Sequence, residues 1–174
     1  EAIEKAEEKY QAFFYLILLT GARRNEAARM RWQDINLETG LWMKWSTKTH
    51  RSHAIHVPEL ALKRLRELPR LGEYVFSTRP GKPIGVSSIE IAWMRIRARA
   101  GLEDVTIHDL RRTCASWMAI HGTNIVVIQQ MLNHASLHYT GTYARLNQAP
   151  VKQALHENAQ RIFDEKEGGS HEKG

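Results

Sequence analysis

The stretch TIHDLRRTCASWMAIHG, residues 106–122, sets His108 and Arg111 three apart at the head of an otherwise apolar segment. Residues three apart share a helix face, and helix starts attract anions. The pair can therefore hold a phosphate or carboxylate, or form an ordinary polar face. In TGARRNEA, Arg23 follows a glycine-shaped turn, and Glu26 three residues later can fix its direction as a supporting carboxylate. In STKTHR, Lys48 stands at a turn between two apolar stretches, where a flexible ammonium can be delivered into a cleft. The segment MLNHASLHYTGTYARL supplies His134 and then Tyr139 and Tyr143. Taken singly, each motif describes a solvated surface, or for the tyrosines a core rim, as well as it describes a site.

Other chemistries find less support. Nine histidines invite metal binding, but alternation along a strand puts His53 and His56 on opposite faces. A single cysteine, Cys114, cannot build a thiolate site or an internal disulfide, and it suits a reducing compartment. There is no His-Glu-x-x-His helix, no Asp-rich loop, no Walker or dinucleotide glycine pattern and no nucleophile elbow. No metal or other cofactor is expected.

The elements that must position these residues read as follows. A chain of 174 residues, 43% of them apolar, suits one core-bearing domain. Ile3, Ala6, Tyr10, Phe13, Phe14, Ile17 and Leu18 carry the three-four spacing of a helix over residues 2–20, stopped by Gly21. A short helix follows over 24–30. LWMKWS and SHAIHVP read as two strands joined by a polar turn. Leu60, Leu62, Leu65 and Leu68 predict a helix ending at Pro69. RPGKPIG reads as a loop, and Ser87 or Ser88 as the cap of a helix reaching Ala100. From His108 the pattern is helical over 108–121, 124–132, 136–145 and 150–165. The expected class is mainly α with a small antiparallel β-sheet inserted near the N-terminus (α+β). Residues 1–165 form the domain and 166–174 a disordered tail. Cys114, Trp117, Met118 and Ile120 are expected to anchor the helix begun at His108 in the core.

The net charge of +6 raises nucleic acid as a partner. No apolar run approaches the ~20 residues of a membrane span, and the acidic N-terminus is unlike a signal peptide. The expectation is a soluble intracellular domain with no membrane partner.

In combination the motifs resemble the catalytic domain of the tyrosine recombinases, the phage integrase family. The residues that carry the resemblance are Thr20-Gly21-x-Arg23, Trp32-x-Asp34, the Thr-Lys-Thr hairpin around Lys48, and His108-x-Leu110-Arg111. Leu132-x-His134 follows, with Tyr143 nine residues later. The resemblance implies that Arg23 and Arg111 hold the scissile phosphate, and that Lys48 protonates the departing 5′-oxygen. His108 and His134 donate hydrogen bonds to the phosphate, and Tyr143 is the nucleophile, with Tyr139 a rival four residues away. Glu26 supports Arg23. Lys44 is a weaker rival to Lys48, because it falls within a strand. The family commonly has glycine where this chain has Asn133.

The implied activity is metal- and ATP-independent DNA cleavage and rejoining through a 3′-phosphotyrosyl bond, for integration or excision of a phage or other mobile element. The implied partners are double-stranded DNA and further copies of the chain, a tetramer on DNA and a monomer as an isolated fragment. The setting is the cytoplasm of a bacterium. The resemblance further implies that an N-terminal DNA-binding domain, usual in the family, is absent from this chain. Two alternatives share these residues. One is a sequence-specific DNA-binding protein with a non-productive pocket, and the other is a type IB topoisomerase-like enzyme.

Overall fold

The computed structural model describes residues 1–45, 52–79 and 81–132. The expected helices over 136–145 and 150–165 and the tail 166–174 lie outside the described residues, as do Lys48, His134, Tyr139 and Tyr143.

The chain begins with a 3-10 turn at Ile3–Lys5 and then helix α1, Glu8–Thr20. The apolar pattern over 2–20 is therefore split in two, with Ala6 extended between the pieces. Phe13, Phe14, Leu16 and Ile17 of α1 are wholly buried, and burial of such side chains contributes about 1.5–3 kcal/mol each. Phe13 meets Phe14 and Phe76 edge to face, at centroid distances of 5.4 and 5.1 Å. Gly21, at φ 65°, ends α1 in the left-handed conformation, which a side chain resists. Helix α2 spans Arg24–Ala28, and a second 3-10 turn spans Trp32–Asp34.

Strands β1, Leu41–Trp45, and β2, Ser52–His56, pair antiparallel, with Trp42 opposite Ile55 and Lys44 opposite His53. Pairs directly opposite share a face. Trp42 and Ile55 go into the core on that face and bring Lys44 and His53 with them. Helix α3, Glu59–Arg66, buries Ala61, Leu62 and Leu65.

The RPGKPIG stretch, expected as a loop, contributes to a second two-stranded sheet. Strand β3, Ser77–Arg79, pairs irregularly with β4, Lys82–Pro83. The buried Ser77 hydroxyl ties the hairpin by donating toward the Arg79 and Lys82 carbonyls, 2.5 and 2.8 Å away. Helix α4 runs Val86–Ala100 with Gly85 at its N-cap, and no side chain caps it. The expected serine cap fails because Ser87 and Ser88 are already inside the first turn.

Helix α5, Ile107–Ile120, packs on α1, and α6, Ile125–Leu132, packs on α5. The buried side of α5 is Ile107, Leu110, Arg111, Ala115 and Ala119. Trp117 and Ile120, expected in the core, are instead 60% and 50% exposed. At ~100° per residue Trp117 lies about 200° round the helix from Ala115, so it faces away from α1. Trp117 stacks on His121 at 5.2 Å. The described residues are thus mostly helical, with two small hairpins. Among them no helix is long and apolar enough to cross a membrane.

Candidate active site

The turn after α1 is built to present Arg23. The buried Thr20 hydroxyl donates to the Leu16 carbonyl at 2.5 Å and accepts from the Ala22 amide at 3.2 Å, closing the helix end that Gly21 turns away from. Arg23 is then the N-cap of α2. Glu26 reaches back to accept from the Arg23 amide at 3.0 Å, and its other oxygen lies 3.2 Å from Arg23 Nη1. The carboxylate that caps the helix therefore also steers the guanidinium.

Helix α5 starts with a similar device. The Asp109 carboxylate accepts from the Thr106 amide at 2.9 Å and from the Thr106 hydroxyl at 2.6 Å. These bonds hold the Asp109 carboxyl below its ordinary range. With the first turn fixed in this way, His108 and Arg111 project from the same side. Arg111 is only 4% exposed. Its Nη1 donates to the Gly21 carbonyl and its Nη2 to the Leu132 carbonyl at 2.6 Å. One guanidinium thus joins the end of α1 to the end of α6.

Arg23, His108 and Arg111 meet at the wall of one open cavity of about 560 Å³. Its other walls include Arg24, Glu90, Trp93, Met94 and Arg97. Four arginines face two carboxylates, Glu26 and Glu90, around this space, so an anion is its natural occupant. Arg24 pairs with Glu90 across the mouth. Arg97 donates to the Val105 carbonyl at 3.3 Å, beside the Trp93 indole that donates to the same oxygen at 2.9 Å. Partial desolvation, and then the charges of Arg111 and Arg112, pull His108 below the usual histidine pKa. The imidazole is therefore chiefly neutral near pH 7 and offers an N–H to a ligand.

Lys44, weighed in the sequence only against Lys48, has a different surrounding. Its ammonium lies 2.7 Å from Glu26 Oε2 and its side chain is 11% exposed. It is not among the cavity-lining residues. Arg112 is exposed and 3.3 Å from Asp109. Cys114 is half-buried, with its sulfur 3.9 Å from that of Met131, and burial pushes its thiol pKa up to about 11.

Sequence reasoning missed Arg24, Glu90, Met94 and Arg97 as cavity walls. A signal existed: Glu90, Met94 and Arg97 are four and three apart on α4, the spacing of a single helix face. Among the described residues no cluster of three His, Cys, Asp or Glu side chains gathers at a point.

The fold is one shared with solved site-specific recombinases. The superposable solved structures include the XerH site-specific recombinase bound to its difH substrate in a pre-cleavage complex. That match has a TM-score of 0.75 and 22% identity, over 88% of this chain and 49% of that one. The phage integrase family model matches residues 1–149, and the chain belongs to that family. Among curated relatives, the integrase of Salmonella phage P22 is 30% identical over 160 residues, covering 83% of this chain and 41% of that protein. Tyrosine recombinase XerA of Pyrococcus furiosus is 28% identical over 162 residues, covering 89% and 56% respectively. The chain spans about half the length of such relatives.

Proposed function

We propose that this chain is the catalytic part of a site-specific DNA recombinase or integrase, serving integration or excision of a phage or other mobile element. The observation that carries the reading is the convergence of Arg23, His108 and Arg111 on one cationic cavity, in a chain of the phage integrase family. Arg23 and Arg111 hold the non-bridging oxygens of the scissile phosphate, which suits their planar, permanently charged forks. His108 and His134 donate to the same phosphate, and Glu26 keeps Arg23 aimed.

Tyr143 is the nucleophile. Its phenol has an ordinary pKa of about 10, so for attack at neutral pH the positive cavity must favour its oxyanion, the proton passing to water, or a base must take that proton. The tyrosyl oxygen bonds to phosphorus, the bond from phosphorus to the 5′-oxygen breaks, and Lys48 gives the leaving oxygen its proton. The 3′-phosphotyrosyl bond keeps the energy of the broken linkage. A second strand's 5′-hydroxyl then displaces the tyrosine without ATP or metal. Double-stranded DNA is the substrate, in the cytoplasm of a bacterial host. Copies of the chain assemble on it as a tetramer, and off DNA the chain is a monomer.

The test is trapping on nicked duplexes, whose short cleaved strand diffuses away and prevents rejoining. The expected result is an SDS-resistant adduct on Tyr143, found by mass spectrometry and lost in Tyr143→Phe. An adduct on Tyr139 would keep the function and move the nucleophile. DNA binding with no adduct would leave a binding protein with a non-productive pocket. Indiscriminate relaxation of supercoiled plasmid would point to a topoisomerase.

A further inference from the structure

Lys44 has no part in the phosphate contacts above, yet in its half-buried pair with Glu26 it touches the residue that aims Arg23. Lys44 sits on β1, on the face turned to the core, and its ammonium is within 2.7 Å of Glu26 Oε2. That same oxygen accepts from the Arg23 amide, while Oε1 lies against the Arg23 guanidinium. Lys44 does not itself line the cavity, whereas Glu26 does. The Trp42 ring lies 5.7 Å from its ammonium, and His53 stands opposite it on β2.

We infer that Lys44 is a positioning residue for Arg23: by neutralising Glu26 from behind, it lets that carboxylate orient the guanidinium without cancelling its charge toward a bound phosphate. The inference rests on the reading of Arg23 as a phosphate ligand.

Charge bookkeeping explains the need. A lone buried carboxylate beside one arginine forms a neutral pair, and a neutral pair attracts phosphate weakly. It would also draw the guanidinium back onto itself. With Lys44 present, the three groups together carry a net positive charge, and the exposed member is Arg23, whose side chain is 47% accessible. The titration of Glu26 agrees. Burial alone pushes its carboxyl up, but the bonds from Lys44 and Arg23 outweigh this and hold it below the ordinary range. Burial in turn lowers the Lys44 pKa, with Arg23 and Arg111 adding to the effect and Glu26 opposing it. His53 is held low by burial and by Lys44, so it adds little competing charge at neutral pH.

The experiment compares the wild-type chain with Lys44→Met, Lys44→Arg, Glu26→Gln and the double variant Glu26→Gln/Lys44→Met. The first readout is inorganic phosphate titrated against the Arg23 Nε–Hε resonance. The second is the adduct rate on nicked duplex at saturating and sub-saturating DNA, with melting curves on every variant. Lys44→Met is expected to weaken phosphate affinity about tenfold. It should also slow adduct formation at saturating DNA by about ten- to a hundredfold, the scale of a small misplacement, and leave the half-saturating DNA concentration nearly unchanged. Lys44→Arg restores both.

Because Glu26 loses a cation in Lys44→Met, its carboxyl takes up a proton at higher pH. The acid limb of the rate profile therefore shifts upward, with Arg23, Arg111 and His53 the remaining charged or titrating neighbours. In the Glu26→Gln background the Lys44→Met change is expected to add little further loss. A Lys44→Met chain that melts lower but binds phosphate and forms adduct like wild type, per folded molecule, overturns the proposal. So does full additivity in the double variant. If the wild-type chain forms no adduct, the functional reading fails, and the phosphate titration still decides the role of Lys44.

Discussion

Two arginines stand at the same cavity and are held in opposite ways. Arg23 is half exposed at the cap of α2 and is steered by the Glu26 side chain. Arg111 is buried and is held by two backbone carbonyls, one from the end of α1 and one from the end of α6. A carboxylate steers a guanidinium but subtracts from its charge, and so calls for a second cation such as Lys44. Backbone carbonyls fix it with its full charge kept, but make the fold depend on it. The difference predicts that Arg111 combines structure with binding, while Arg23 is close to a pure ligand.

The largest expected effect is therefore on stability at Arg111. Arg111→Met removes two charge-assisted bonds and leaves the Gly21 and Leu132 carbonyls without that donor. Each such bond is worth about 1.5–3 kcal/mol, so a loss of about 3–6 kcal/mol is expected in urea unfolding. Hydrogen exchange should show α6 loosening first. A variant as stable as wild type would break the comparison outright.

Next in size is Gly21→Ala, at the junction that Arg111 clamps. At φ 65° an added Cβ meets the left-handed penalty and approaches Leu132 Cδ2 at 3.1 Å and Met131 Cε at 3.2 Å. The backbone term alone is roughly 1–2 kcal/mol, and the two side chains must also shift. A melting-temperature drop is expected, smaller than that of Arg111→Met. Equal stability would mean that α6 can move off the turn without cost.

How much of this was legible in the sequence varies with the range of the interaction. The β1–β2 hairpin was readable because strand alternation and turn residues are local signals. The β3–β4 hairpin was not, since a two-residue strand containing Pro83 carries no periodicity. Helix α5 was placed within a residue or two, but the apolar character of Trp117 and Ile120 could not say which side faces α1. Within the site, the shared face of His108 and Arg111 follows from spacing alone. That Arg23 joins them, or that Lys44 reaches Glu26, depends on long-range packing between segments far apart in the chain. No local pattern encodes that.

A smaller effect is expected in the pH dependence at the back of the site. His53 has a folded pKa below its ordinary value, through burial first and the Lys44 charge second, with a hydrogen bond to the Met131 backbone opposing them. Because the unfolded chain takes up the proton more readily, stability falls as pH drops below about 6.5, the unfolded histidine value. The loss continues down to the folded pKa. His53→Gln should flatten part of that decline in melting curves taken between neutral and mildly acidic pH. His108, shifted in the same direction, supplies a remaining slope. An unchanged acid limb would show that the β-hairpin relaxes to let His53 reach water.

The smallest stability effect is expected at Arg23, and it is the sharpest test of the comparison. Exposed ion pairs contribute about 0–1 kcal/mol, and Glu26 keeps both its bond to the backbone amide and its pair with Lys44 when the guanidinium is gone. Arg23→Met should therefore melt within a degree or two of wild type, on the order of 0.5 kcal/mol. Under the proposed function it should at the same time lose most phosphate affinity and adduct formation. The contrast with Arg111→Met is what matters: one variant stable and inactive, the other unstable as well. If Arg23→Met were as destabilised as Arg111→Met, the α2 cap would depend on the guanidinium itself. The division of labour between a steered ligand and a buried strut would then be wrong.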